Sequence, residues 1–521
     1  MTRPRPRTTP TALTAVLALL VLSALAPACD DASTNRPRDD AALNGGPDAD
    51  DVVTDAGPDA DADGDVPDPA GALKLAGDLA ITKISLFQSV EIPIWRDGDA
   101  LAPPSTVIVP GRPLRVVVWA SPQAGYAARP LTLMVSVVPA AGATVNLQKI
   151  VTFPASTDPA DPATAVFLDL PASQVTGDRG LSVRILDEDA APTPETQPHP
   201  ARAGTFTSPL AVAVEPPQEP VRLILIPIRY QDGGQDFLPD TSPTQLALYE
   251  ALLEATYPGA FELVLHAELA WDDPFTWTGN FDFGDLNGEL VDMKAAEGEA
   301  PESYYYALVA PADTFSDYCG GSCTTGQSFV VSNPDASDYR VGGGMGFPGE
   351  GSAWTLVHEL GHMFGRSHSG CDVSQDDDHY PYSGGMLGSW GLNTLTGAWL
   401  DPARFADFMG YCDPMWVSDY TWNGLYDRIL ELAQLYPPAA PSPVRLLHVN
   451  LADGTLREGA LLTAPRAGGD RTVRVIVSGA QGTREFARGG REFARGGREF
   501  ARGGREFDAP AVFQSGGDAF T

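Results

Sequence analysis

The stretch His358-Glu359-Leu360-Gly361-His362-Met363-Phe364-Gly365-Arg366-Ser367-His368 decides how the rest of this chain is read. A helix turns once every ~3.6 residues, so His358 and His362 leave one face a single turn apart. Both imidazoles then reach one metal ion at about 2.0–2.1 Å, the distance zinc takes to nitrogen. Glu359 follows the first of them, placed to touch a water on the metal rather than the metal itself. Gly365 predicts the end of the helix, because glycine tolerates the left-handed backbone that reverses a chain. The reversal brings His368 back as a third ligand. Three protein ligands leave one position open, which marks a catalytic rather than a closed structural site. The chain has 7 histidines. Three of them fall in this one window, whereas incidental surface histidines would scatter.

Outward from this stretch, residues 219–436 read as an α/β unit. Val221–Tyr230 is a near-continuous apolar run, as expected of a strand buried on both faces. Ser242 predicts a helix cap, with the helix running through about Thr256. Phe261–Ala267 and Tyr304–Ala310 read as further strands. Arg340–Phe347 is glycine-rich and reads as an edge strand that passes close to a ligand. Ser352 predicts the cap of the motif helix, which runs to Phe364. A last helix starts near Ser418 and continues to about Tyr436, with Leu425, Ile429, Leu432 and Leu435 on one side.

The segment His358–His368 resembles the extended zinc-binding motif of the metzincin metalloproteases. That family carries a methionine turn beneath its metal, and Asp407-Phe408-Met409-Gly410-Tyr411-Cys412 looks like it. Met386, in Gly384-Gly385-Met386-Leu387-Gly388, is a competing candidate for the turn. The resemblance covers roughly residues 220–436. The β-rich leader before it is loosely similar to that of secreted bacterial mucin-degrading proteases of the StcE type. The resemblance implies one catalytic Zn2+ held by His358, His362 and His368, with Glu359 as general base. It places Met409 as a hydrophobic floor and Tyr411 as a phenol that steadies the transition state. Read from its residues, the Gly342–Gly346 segment is either an edge that pairs with an extended substrate backbone or a flexible turn. The substrate that the resemblance implies is an extracellular protein or glycoprotein.

Cys319, Cys323, Cys371 and Cys412 are an even set in a chain with an export signal, so disulfides are expected. Three connectivities are open on sequence alone. Cys371 follows the third ligand by three residues and Cys412 follows Met409 by three. If both flank the metal, a Cys371–Cys412 bond braces the site, which leaves Cys319–Cys323 as the second pair.

The remaining segments frame this core. Residues 1–28 read as a signal peptide: Arg3, Arg5 and Arg7 precede an apolar run, Ala12–Leu25, too short to cross a bilayer comfortably. Leu25-Ala26-Pro27-Ala28-Cys29 resembles a bacterial lipobox, which makes Cys29 a lipidation candidate and gives the chain its one expected membrane contact. Residues 29–71 are aspartate-rich and lack apolar periodicity, so they read as a disordered linker. Asp59-Ala60-Asp61-Ala62-Asp63-Gly64 begins like a calcium loop but has Ala70 where that loop needs glutamate. Residues 72–218 hold short strands (Ile81–Phe87, Leu114–Trp119, Leu131–Val138, Ala165–Leu170, Leu181–Leu186, Leu210–Val214) between turn residues, as in an immunoglobulin-like β-sandwich. They read as a spacer or packing domain, or as a substrate- or glycan-binding module. Residues 437–521 begin with a proline-rich hinge, carry short strands at Arg445–Val449 and Thr472–Val477, and end in Arg484-Glu485-Phe486-Ala487-Arg488-Gly489-Gly490 repeats of low complexity.

The expected fold class is therefore multidomain, an N-terminal β-sandwich plus an α/β metzincin-like catalytic domain. The net charge of −34 argues against a nucleic-acid partner, which needs a basic face. The sequence shows no nucleophile elbow, P-loop or dinucleotide fingerprint, and no cysteine switch upstream of the core. His379, within Asp376-Asp377-Asp378-His379, reads as part of a solvated loop or as a second metal ligand. His199, His266 and His448 suggest no role. The function expected is an exported zinc endopeptidase, secreted or lipid-anchored. The competing class is a catalytically silent surface binding protein or adhesin.

Overall fold

The computed structural model describes residues 28–34 and 72–437, apart from 103–105, 205–208, 233 and 274–278, together with the strands 442–450, 455–464, 473–479, 482–488 and 511–512. The signal segment before residue 28, the calcium-loop-like Asp59–Gly64 and most of the arginine repeats lie outside the described residues. The chain is β-rich and multidomain. No helix among the described residues is long and apolar enough to cross a membrane.

Residues 72–214 form two five-stranded sheets packed face to face. One sheet contains Leu79–Phe87, Glu91–Arg96, Leu114–Pro122 and Val166–Leu170. The other contains Leu131–Pro139, Val145–Val151, Arg179–Leu186 and Leu210–Val212. Alternate residues from both sheets (Ile84, Val116 and Val118 facing Leu133, Val135 and Val183) fill one apolar core. Besides several two-residue strands, two longer ones escaped the sequence reading. Glu91–Arg96 contains Pro93, which argues against a central strand. Among the described residues Val145–Val151 pairs only with Leu131–Pro139, and it is largely exposed, so it lacks an apolar pattern.

The second unit is built on an eight-stranded mixed sheet. Its centre is Val221–Asp232, which pairs in parallel with Phe261–Leu265 on one side and Tyr304–Val309 on the other. Val341–Met345 lies parallel to Tyr304–Val309, and Ser322–Phe329 runs antiparallel beyond it. Val341–Met345 is therefore an inner strand, which corrects the edge position expected for Gly342–Gly346. Its glycines serve close packing instead: a Cβ on Gly344 would overlap the Tyr306 hydroxyl, and one on Gly342 would meet Ser328 at 2.5 Å. Along the outer side of Ser322–Phe329 runs Ala28–Thr34, so the first residues of the span expected to be linker form a strand.

The helices pack against this sheet. Ser242 caps Pro243–Thr256 through its side chain, as expected. The helix Phe283–Glu297 was missed: Phe283, Leu286 and Leu290 line one face, but Gly284, Gly288 and four acidic residues blur the period. The motif helix is Glu350–Met363 and starts at Gly349, not Ser352. The Ser352 hydroxyl donates instead to the Phe347 carbonyl, tying the first turn to the preceding loop. Asp419–Leu435 is capped by Ser418 as expected.

The sandwich is docked on the second unit rather than strung from it. The Ser89 carbonyl accepts from Leu392 N at 2.9 Å and from Trp416 Nε1 at 3.1 Å, and Ser89 Oγ donates to the Ala255 carbonyl. The Arg112 guanidinium donates to the carbonyls of Glu254, Tyr257 and Gly259, where the helix Pro243–Thr256 leaves its last acceptors unpaired. Val90 and Val109 belong to the same core as Leu225, Leu356 and Trp422.

Candidate metal centre

His358 and His362 lie one turn apart on Glu350–Met363, with ring centroids 4.7 Å apart. The helix stops as glycine dictates. Gly365 has φ of 84°, and a Cβ there would press on the Val331 carbonyl and on Arg428. The chain then returns His368, whose ring centroid is 4.8 Å from that of His362 and 5.4 Å from that of His358. One ring nitrogen from each can be chosen so that all lie within 4.8 Å of one another. All three residues are buried.

The opposite ring nitrogens are engaged. His358 Nδ1 is 2.7 Å from the Phe408 carbonyl, and His362 Nδ1 is 2.7 Å from the Arg366 carbonyl. A carbonyl only accepts, so both Nδ1 atoms donate, and Nε2 is the ring nitrogen left to meet a metal. His368 Nδ1 faces the Asp376 carboxylate at 3.3 Å. Burial, then the neighbouring His358 and His368, hold the His362 imidazole well below its usual pKa. Its Nε2 is buried and has no hydrogen-bond partner in the structure. A buried acceptor of this kind is costly unless something binds it. The residues therefore fit a metal ion: three buried imidazoles, each held from its Nδ1 side, with ring nitrogens within 4.8 Å of one another. His379 does not join them, since its side chain is 90% exposed and pairs with Asp377. Among the described residues no other trio could hold a metal.

Glu359 is fully buried between the helix and the strand Ser322–Phe329. Its Oε2 accepts from Ser328 Oγ at 2.5 Å, and its Oε1 fits beside Gly326, where a Cβ would come within 2.8 Å. The turn 407–411 closes the other side. Phe408 supplies the carbonyl to His358, and Met409 Sδ fills the space above Gly361. The buried Asp407 carboxylate accepts from Met409 N at 2.8 Å and from Ser418 N at 2.9 Å, and so fixes the turn. Burial raises the pKa of that carboxyl. Met386, the competing candidate, is half-buried in a loop beside Ala406, its carbonyl bonded to Tyr380. Tyr411 Oη is 3.4 Å from His368 Nε2. Cys371–Cys412 and Cys319–Cys323 are both bonded, with Cα separations of 5.6 Å and 5.4 Å. Cys371–Cys412 joins the segment after His368 to the segment after Met409.

Sequence reasoning missed Ser328, Asp376, Asp377 and Asp407. Their spacing to the histidines carries no signal, because they reach the site from one strand (Ser328), one loop (Asp376 and Asp377) and one turn (Asp407) that only the fold brings together.

No family model matches this chain, and no curated protein matches it. Among solved structures, one described as "Structure of a chaperone-substrate complex" is similar over 52% of this chain and 39% of its own, with 11% identity and a TM-score of 0.24. This chain thus spans well under half of that protein's length.

Proposed function

We propose that the protein is a zinc-dependent endopeptidase of the metzincin type, exported and lipid-anchored through Cys29 or secreted, that hydrolyses extracellular proteins or glycoproteins. The observation that carries this reading is the trio of buried histidines whose Nδ1 atoms are all engaged, beside a buried glutamate. A zinc ion held there supplies Lewis acidity and lowers the pKa of a water toward neutrality. Glu359 accepts the proton of the attacking water and delivers it to the leaving amine. Ser328 holds the carboxylate of Glu359 in place for that exchange. Tyr411 donates a hydrogen bond to the oxyanion that develops on the scissile carbonyl. His358 and His362 are locked by backbone carbonyls, so the rings need not reorganise.

The test combines metal analysis with turnover. Purified protein is expected to carry one zinc per chain and to cleave casein or a mucin. Glu359→Ala should keep the zinc and lose the cleavage. A chain that takes up no zinc, or cleavage that survives Glu359→Ala, would overturn the reading. Zinc uptake without cleavage of any substrate would favour a silent binding protein.

A further inference from the structure

The acidic run Asp376-Asp377-Asp378 looks in sequence like a solvated loop, yet two of its members reach the turn that carries His368: Asp377 is half-buried, and Asp376 stays exposed but contacts the histidine. The amides of Asp376 and Asp377 both donate to the His368 carbonyl at 3.2 Å, so the loop folds back over that residue. Asp376 Oδ2 then stands 3.3 Å from His368 Nδ1. Asp377 Oδ2 accepts from Arg366 Nη2 at 3.2 Å and from Tyr420 Oη at 2.9 Å. The Arg366 guanidinium lies over the Tyr420 ring, 4.6 Å from its centroid. It needs Gly424 beneath it, since a Cβ there would collide with the guanidinium. The carbonyl of the same Arg366 accepts from His362 Nδ1.

The two aspartates therefore hold both ends of the turn that runs from His362 to His368. Asp377 fixes Arg366, and with it the carbonyl that orients His362. Asp376 orients His368 directly. Asp378 makes neither contact. His368 also differs in kind from the other two histidines: its Nδ1 faces a carboxylate rather than a carbonyl, and a carboxylate strengthens an imidazole as a donor.

We propose that Asp376 and Asp377 are positioning residues of the metal centre, Asp376 fixing the ring of His368 and Asp377 fixing the 362–368 turn through Arg366 and Tyr420. This rests on the reading that the three histidines bind zinc. Loss of a carboxylate or carbonyl behind a ligating histidine weakens metal binding by about 10–100-fold.

The experiment uses the full chain as wild type, Asp376→Ala, Asp376→Asn, Asp377→Ala and Asp378→Ala. Zinc affinity is measured by chelator competition, and the ligand field by the visible spectrum after cobalt substitution. Asp376→Ala should weaken zinc by about 10–100-fold, and Asp377→Ala, which acts through Arg366, should weaken it by less. Asp376→Ala should also shift the cobalt bands. Asp376→Asn keeps an acceptor oxygen and should recover most of the affinity. Asp378→Ala removes the same charge and should match wild type. Metal-free melting temperatures identify any variant that fails to fold, and Asp376→Asn then carries the comparison. Equal affinities and spectra for Asp376→Ala and Asp378→Ala would overturn this proposal alone. A wild-type chain that binds no zinc would overturn the metalloenzyme reading with it.

Discussion

Met409 Sδ rests in the hollow left by Gly361: a Cβ added to that glycine would stand 2.4 Å from the sulfur. The glycine sits between the two helical histidines, so this contact sets how closely the 407–411 turn approaches the ligands. Gly361→Ala gains up to about 1 kcal/mol of helix propensity. It should nevertheless destabilise the protein, since overpacking a filled core costs about 1–3 kcal/mol. Urea unfolding reads the net sign, and a more stable variant would refute the close-packing argument.

Ser328→Ala removes the donor to Glu359 without touching a histidine. A hydrogen bond to a charged group contributes about 1.5–3 kcal/mol. The expected outcome is a roughly tenfold or greater fall in kcat, with zinc content and KM little changed. Steady-state kinetics on whichever substrate is cleaved reads the split. A change in KM alone would place Ser328 in substrate binding instead.

The histidines were legible because ligands on one helix must repeat with the helical turn, and Gly365 because only a left-handed residue returns the chain. Met409 was legible only as one of two methionines, and the packing against Gly361 separates them. Ser328 was hidden because Ser322–Phe329 is a polar strand whose inner face meets a carboxylate, not an apolar core. Asp376 and Asp377 were hidden in a charge run that looks the same whether or not its members touch a histidine or its turn. The strands Leu114–Pro122 and Val221–Asp232 were readable from their apolar runs, whereas the docking of one unit on the other depends on single residues such as Ser89 and Arg112.

The two disulfides should differ in worth. Their residues are separated by 41 and 4 positions. Loop-closure entropy then gives about 4 kcal/mol for Cys371–Cys412 and about 2 kcal/mol for Cys319–Cys323. Paired Cys→Ser variants, compared by denaturant midpoint, should follow that order. The Cys371/Cys412 pair should also weaken zinc binding, because it ties the turn after His368 to the turn after Met409.

Lys294 predicts a pH dependence of stability. Its Nζ donates to the carbonyls of Ser303 and Ser337, and burial pushes its pKa down to about 7 from the usual 10.5. Below about pH 7 both states hold the proton, and the folded state bears the full cost of burying it. Between about 7 and 10.5 only the unfolded chain holds it, so this group's contribution makes stability rise with pH. Lys294→Met should remove that slope. Unfolding free energies of the two proteins, measured from about pH 6 to pH 10, should diverge in favour of wild type as the pH rises. Parallel curves would refute it.

The docking of the sandwich reaches beyond stability. Residues 216–220 (Pro-Pro-Gln-Glu-Pro) form the link between the two units and belong to no helix or strand. Ser89, Arg112, Trp416 and Trp422 bridge the units independently of that link. A break at this joint would leave two fragments clasped as a non-covalent pair, with the histidines undisturbed. The gene could thus be split there and its halves made separately, whereas the histidine-bearing half could not be moved alone to a new carrier without baring the surface that Val90 and Val109 cover.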